Sequence, residues 1–224
     1  MTSWNAGYVT EIAYTRGYYR ELTPSLLSFV GLVCGKSIVK LGAPMRYCEL
    51  GCGQGLSASI IAAANPQIEV HAVDFNPEHI AGARLLADDG RVANAHFHEL
   101  AFADLNDDPA LTGMFDMITL HGIYSWISTN NRSHIVKFIR RRLKPGGLVY
   151  VSYNTLPGWA PVMPLRRLMF DHANLRKGPI APRVSDALAF AEDLKVAGAG
   201  YFSQNPALGE RLDKLRSMQR IYRA

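Results

Sequence analysis

The sequence predicts an α/β fold, a doubly wound, mainly parallel sheet flanked by helical segments. Three observations predict it. Short apolar runs alternate with helical patterns from about residue 46 to residue 153. A glycine cluster, Gly51-Cys52-Gly53-Gln54-Gly55, stands where the first apolar run stops and a helix former begins. No persuasive strand pattern follows Tyr153. Alternating strands and helices imply parallel strands joined by right-handed crossovers.

Each element has its own signal. Arg46–Leu50 (RYCEL) is the first strand, and Ala58–Ala64 is a helix behind the glycines. Glu69–Asp74 (EVHAVD) is the second strand and ends in an acid. Pro77 opens a helix with Ile80, Ala83 and Leu86 on its apolar side, since proline suits a first helical position. Ala95–Leu100 is a weaker strand and Phe115–Leu120 (FDMITL) a strong one. Ser128 or Thr129 can cap a helix running to Leu143. The Lys144–Gly147 run (KPGG) stops it, and Leu148–Tyr153 is the next strand. Residues 1–40 read as a mostly helical lid, 41–160 as the core, and 161–224 as a helical extension. In that extension Ser185 caps one helix and Pro206 opens another.

Composition narrows the function. The chain has 224 residues, 48% of them hydrophobic and 19% charged, which suits a packed domain with a modest appendage. A net charge of +5 is mild and is not gathered into one stretch, so nucleic acid is not the expected partner. Cys34, Cys48 and Cys52 are too few for a disulfide framework and lack partners at a zinc spacing. The start of the chain has no basic segment leading into an apolar run, and no apolar stretch is long enough for a membrane span. A cytoplasmic protein without metal or membrane is the expectation.

Ligands of doubly wound sheets bind outside the carboxyl ends of the strands. A glycine loop there lets a ligand lie against bare backbone, and the helix start behind it attracts anions. Asp74 at the end of the second strand can accept hydrogen bonds from ribose hydroxyls. A dinucleotide site wants G-x-G-x-x-G, but the third glycine's place holds Leu56 and the spacing is G-x-G-x-G. Glu49, two residues before the first glycine, would repel a pyrophosphate and attract an ammonium. S-adenosylmethionine carries an ammonium, a carboxylate and a ribose, and no phosphate.

ELGCGQG (Glu49–Gly55) resembles the first motif of the class I S-adenosylmethionine-dependent methyltransferases. HGIYSW (His121–Trp126), SYNTLPGW (Ser152–Trp159) and the N-terminal YTRGYY (Tyr14–Tyr19) resemble the bacterial branch with a methyltransferase regulatory domain, which includes rickettsial protein-lysine methyltransferases. The resemblance spans roughly residues 8–170. It implies a Rossmann-like methyltransferase fold, here without the last two strands. It also implies that Glu49, Gly51, Cys52, Gly53 and Asp74 hold the cofactor's amino acid and ribose. Phe75 would flank the adenine, with Ala101 and Phe102 serving it in place of the acid many relatives carry there.

His121, followed by Gly122, would face the methionine part of the cofactor, either as base or donor or as a residue that shapes the loop. Tyr124 and Trp126 in one loop, and Tyr153, Asn154 and Trp159 in another, would wall a slot for an amine or simply anchor their loops. Tyr14, Tyr18 and Tyr19 would lid the cofactor or pack within a helix. His96 and His98 share one strand face and read as structural. The expected activity is methyl transfer from S-adenosylmethionine, with His121, Tyr153 and Asn154 as catalytic candidates and protein lysine as the favoured acceptor. A small-molecule acceptor and a non-catalytic cofactor-binding module are the alternatives. The fifth strand would be an open edge, so a homodimer through it or through the C-terminal helices is also expected.

Overall fold

In the computed structural model, residues 17–36 and 42–221 are described, with side chains as far as residue 217. The chain divides into two compact units between Tyr153 and Asn154.

The first unit holds a parallel sheet of five strands among the described residues: β1 Met45–Leu50, β2 Ile68–Asp74, β3 Ala95–Glu99, β4 Phe115–Leu120 and β5 Leu143–Val151. Their order is β3-β2-β1-β4-β5. The helices are α1 Pro24–Val33, α2 Leu56–Ala64, α3 Pro77–Asp89 and α4 Thr129–Arg142. β4 is buried along its whole length, as a central parallel strand covered on both faces should be. Side chains alternate across the sheet. Tyr47 of β1, with Ala58, Ile61 and Ile80 of α2 and α3, builds one core, while Cys48, Leu50 and Ile118, with Ile135 and Phe138 of α4, build the other.

Local chemistry sets the helix starts. Asn76 caps α3 by accepting the Glu78 N–H at 2.9 Å, and Ser128 caps α4 by accepting the Asn131 N–H at 3.2 Å. The N-terminal segment is tied to the sheet before α1, where a 3₁₀ turn at Arg20–Leu22 buries Leu22 completely. The Leu22 carbonyl accepts the Tyr47 hydroxyl at 3.1 Å.

The boundaries around α4 and β5 differ from the sequence reading. α4 ends at Arg142, and Leu143 already pairs with Phe115, five residues ahead of the expected strand start. The KPGG run lies inside β5 as an irregularity in its pairing with β4, which resumes at Met117↔Leu148. Asp116 holds that stretch: its carboxylate accepts the Arg46 N–H at 2.8 Å and lies 2.8 Å from Lys144 Nζ. Gly146 takes φ +79°, which costs glycine little. β5 then ends at Val151, so Tyr153 lies beyond it.

The second unit contains α5 Met163–Asn174, α6 Ile180–Val196, α7 Gly200–Gln204 and α8 Pro206–Ile221. Leu165, Leu188, Ala191, Phe202, Leu208 and Leu212 form its core. α6 starts five residues before Ser185, because Pro182 falls in its first turn, where the missing N–H does no harm. No described helix is long and apolar enough to cross a membrane.

Candidate functional site

The pairs Leu50↔Val73 and Asp74↔Glu99 bring the carboxyl ends of β1, β2 and β3 nearly flush. The loops after the strands therefore open on one rim, and a cavity of about 470 Å³ lies there.

The glycine loop forms its floor. Gly51 N–H and Cys52 N–H both donate to the Val73 carbonyl, at 2.7 and 2.9 Å. Gly55 adopts φ +70° as the residue capping α2, and a Cβ there would sit 2.5 Å from Ala83 Cβ and 2.6 Å from Phe97 Cε1. Gly55 thus lets α2 close onto α3 and β3. Gly53, at φ +53°, has nothing within 4 Å of the place a Cβ would occupy, so bare backbone faces the opening.

Two carboxylates meet this loop. Asp74 accepts Gly53 N–H at 2.9 Å and Asn76 N–H at 3.0 Å, which fastens the loop to the end of β2. A carboxylate has about four lone-pair positions, so capacity for a ligand remains. Glu49 is buried, and its Oε2 has no hydrogen-bond partner. Burial, reinforced by the charge of Asp74, pushes its carboxyl up to about 8. A buried polar atom left unsatisfied beside a cavity fits a cationic ligand group that would complete it.

His121 forms part of the wall. Its ring stacks on Tyr19 with centroids 4.3 Å apart, and its Nδ1 lies 3.2 Å from the Tyr150 hydroxyl. Burial lowers its pKa, opposed in part by Glu21. Tyr19 reaches it because its N–H donates to Ser57 Oγ at 3.0 Å, and that hydroxyl lies 3.3 Å from the Gly17 carbonyl. Burial and the Glu49 charge raise the pKa of the Cys52 thiol, so it stands there as a neutral group.

The cavity gathers Tyr19, Glu49, Gly51, Cys52, Gly53, Asp74, Phe75, Phe102, His121, Gly122 and Trp126. Other candidates fall elsewhere. Ala101 is not among the lining residues, whereas its neighbours Leu100 and Phe102 are. Tyr18 is 47% exposed and outside the cavity, because in the extended stretch before the 3₁₀ turn adjacent side chains point opposite ways. Tyr153 is 63% exposed and does not line it either, since β5 ends two residues earlier. Asn154 and Trp159 belong to the second unit, and Tyr14 lies outside the described residues. Gly17, Ser57 and Ile123 line the cavity without having been singled out. A hydroxyl in the first turn behind the glycine loop was the available signal for Ser57.

A family described as "Methyltransferase domain" matches residues 48–149. The uncharacterized protein sll1526 of Synechocystis sp. is 44% identical over 223 residues, which is 99% of this chain and 44% of that protein. The uncharacterized protein RP028 of Rickettsia prowazekii is 28% identical over 163 residues, 73% of this chain and 64% of that protein. The chain thus spans less than two thirds of either relative. The solved structure of PKMT2 from Rickettsia typhi in complex with AdoHcy superposes with a TM-score of 0.68 at 27% identity, over 80% of this chain and 34% of that one. The family match covers β1 to β5, and the cavity lies at the rim those strands build. Residues 48–149 are thus similar to a methyltransferase domain, and the sheet they build has the Rossmann-like methyltransferase fold.

Proposed function

We propose that this chain transfers the methyl group of S-adenosylmethionine to nitrogen, with a protein lysine side chain as the acceptor. One observation carries the cofactor assignment: a buried, unpartnered Glu49 carboxylate oxygen beside an open glycine backbone. Glu49 would take the ammonium, Gly51–Gly55 and the start of α2 the carboxylate, and Asp74 the ribose. Phe75 and Phe102 offer apolar surface for the adenine. A pyrophosphate would meet two carboxylates in the same place.

When bound, S-adenosylmethionine supplies a methyl group already activated on sulfur. The protein then needs to align the partners and exclude water, which in the best cases is worth about 7–11 kcal/mol. Tyr19 and His121 wall the crevice, and Trp126, 56% exposed, offers an aromatic face to an incoming amine. A lysine must be neutral to attack, and an apolar approach lowers its pKa from about 10.4. The lysine preference is supported by the HGIYSW and SYNTLPGW resemblance and by the likeness to PKMT2. The three cysteines are free, which suits a cytoplasmic setting.

Calorimetry with S-adenosylhomocysteine tests the cofactor assignment. Binding that is lost in Asp74→Ala is expected, and no binding to the unaltered chain would refute it. Labelled S-adenosylmethionine offered with polylysine and with free small amines and phenols tests the acceptor. Label on polylysine is expected, and label confined to the small molecules refutes the lysine assignment.

A further inference from the structure

His121 is held from two sides and free on a third. Tyr19 covers one ring face and Tyr150 engages Nδ1. Nε2 has no hydrogen-bond partner among the described residues. Behind Tyr150 the contacts continue. Gly122 N–H donates to Ser152 Oγ at 2.7 Å. Residues 150 and 152 lie two apart at the end of β5, so their side chains share a face. Ser152 N–H donates to the Leu120 carbonyl at 3.0 Å, which sets both hydroxyls beside the loop that carries His121.

The bond between Tyr150 and His121 has a direction. A phenol O–H is a stronger donor than a neutral imidazole N–H, and an imidazole nitrogen is a stronger acceptor than a phenol oxygen, so Tyr150 O–H donates to His121 Nδ1. An Nδ1 that accepts leaves the proton of a neutral imidazole on Nε2. Burial favours the neutral ring, and Glu21 is the charged group that acts against it. Tyr19 and Tyr150 are the other titratable groups packed against the ring.

We propose that Tyr150 is a positioning residue that holds His121 as the neutral Nε2–H tautomer, so that His121 meets an oxygen of cofactor or acceptor as a hydrogen-bond donor and not as a base. The purpose of the device rests on the methyl-transfer reading; its geometry does not. The acceptor amine then loses its proton to water before attack, and the free Nε2–H orients an oxygen in the crevice.

The test is nitrogen-15 NMR of the histidine side chains in the 224-residue chain, with His121 assigned among the seven histidines by loss of its signals in His121→Gln. The expected spectrum shows a bare Nδ1 and a protonated Nε2. Tyr150→Phe should fold, as judged by circular dichroism, and should show a mixture of tautomers. A protonated Nδ1 in the unaltered chain overturns the proposal, and so does a single unchanged tautomer in Tyr150→Phe. Titration with S-adenosylhomocysteine separates the two readings: no binding refutes the methyl-transfer reading and leaves the tautomer result standing. With an acceptor in hand, Tyr150→Phe should lower kcat about ten-fold, the rate equivalent of one neutral hydrogen bond. A rate that follows the titration of His121 itself would mark it as a base and end the proposal.

Discussion

Glu49 concentrates the chemistry of this protein in one carboxyl. Folding raises it from 4.5 to about 8, so the folded state holds a proton that the unfolded chain gives up. Its contribution to stability is complete below pH 4.5 and is lost as pH rises through about 8. The unfolding midpoint of the free protein should therefore fall across that window, and Glu49→Gln should flatten the fall in a thermal scan against pH. A ligand ammonium favours the ionised form, so binding S-adenosylhomocysteine near neutral pH should release a proton. Calorimetry in two buffers of different ionisation enthalpy reads that release. Glu49→Gln should abolish it and weaken binding by about 10- to 100-fold, the size of a lost charge-assisted hydrogen bond. His98 works in the opposite direction. Burial and the neighbouring His71 push it down to about 4 from 6.5. Its contribution is present above pH 6.5 and is lost as pH falls through about 4. His98→Asn should blunt acid unfolding in urea titrations over that range. Asp74 was legible because it ends a strand, and Glu49 because it stands two residues before the first glycine. The isolation of Glu49 Oε2 was not, since nothing in local sequence says which atoms surround a buried group.

At the scale of elements, the strand ends at Leu50, Asp74 and Leu120 were legible because a glycine, a proline-led helix or a turn follows each closely. The cap of α4 was legible as Ser128 or Thr129 for the same local reason, and the structure assigns it to Ser128. Ser128→Ala should cost about 1 kcal/mol of stability without disturbing the sheet, measured by chemical denaturation. The start of β5 was hidden, because it depends on Asp116, 28 residues from its partner Lys144. The placement of Tyr19 was only half visible. A run of tyrosines marked the segment, but the tether joins Ser57 to Tyr19 across 38 residues. Ser57→Ala should leave α2 intact, free Tyr19 from His121 and weaken S-adenosylhomocysteine binding several-fold; unchanged affinity would separate Tyr19 from the cofactor.

At the scale of the whole molecule, β5 borders the sheet among the described residues, and Val149 on it is 41% exposed. An open edge strand is a template for pairing with a second copy. A dimer by light scattering is the expected outcome for the 224-residue chain, and charged substitution at Val149 should shift it toward monomer. A monomer at every concentration would show that the edge is covered in another way. The second unit brings its own core, so Leu188→Ala should destabilise it by about 2–5 kcal/mol while S-adenosylhomocysteine still binds the first. The order of strands and helices, the glycine loop and the two carboxylates beside it follow from patterns within a dozen residues, where periodicity, proline, glycine and caps act directly. Which of the candidates share one cavity was decided only by tertiary structure. Tyr19, Asp74 and His121 come together there because flush parallel strands bring distant loops to one rim, while Tyr18, Ala101 and Tyr153 stand outside it because alternation and a strand's last residue decide which side a side chain takes.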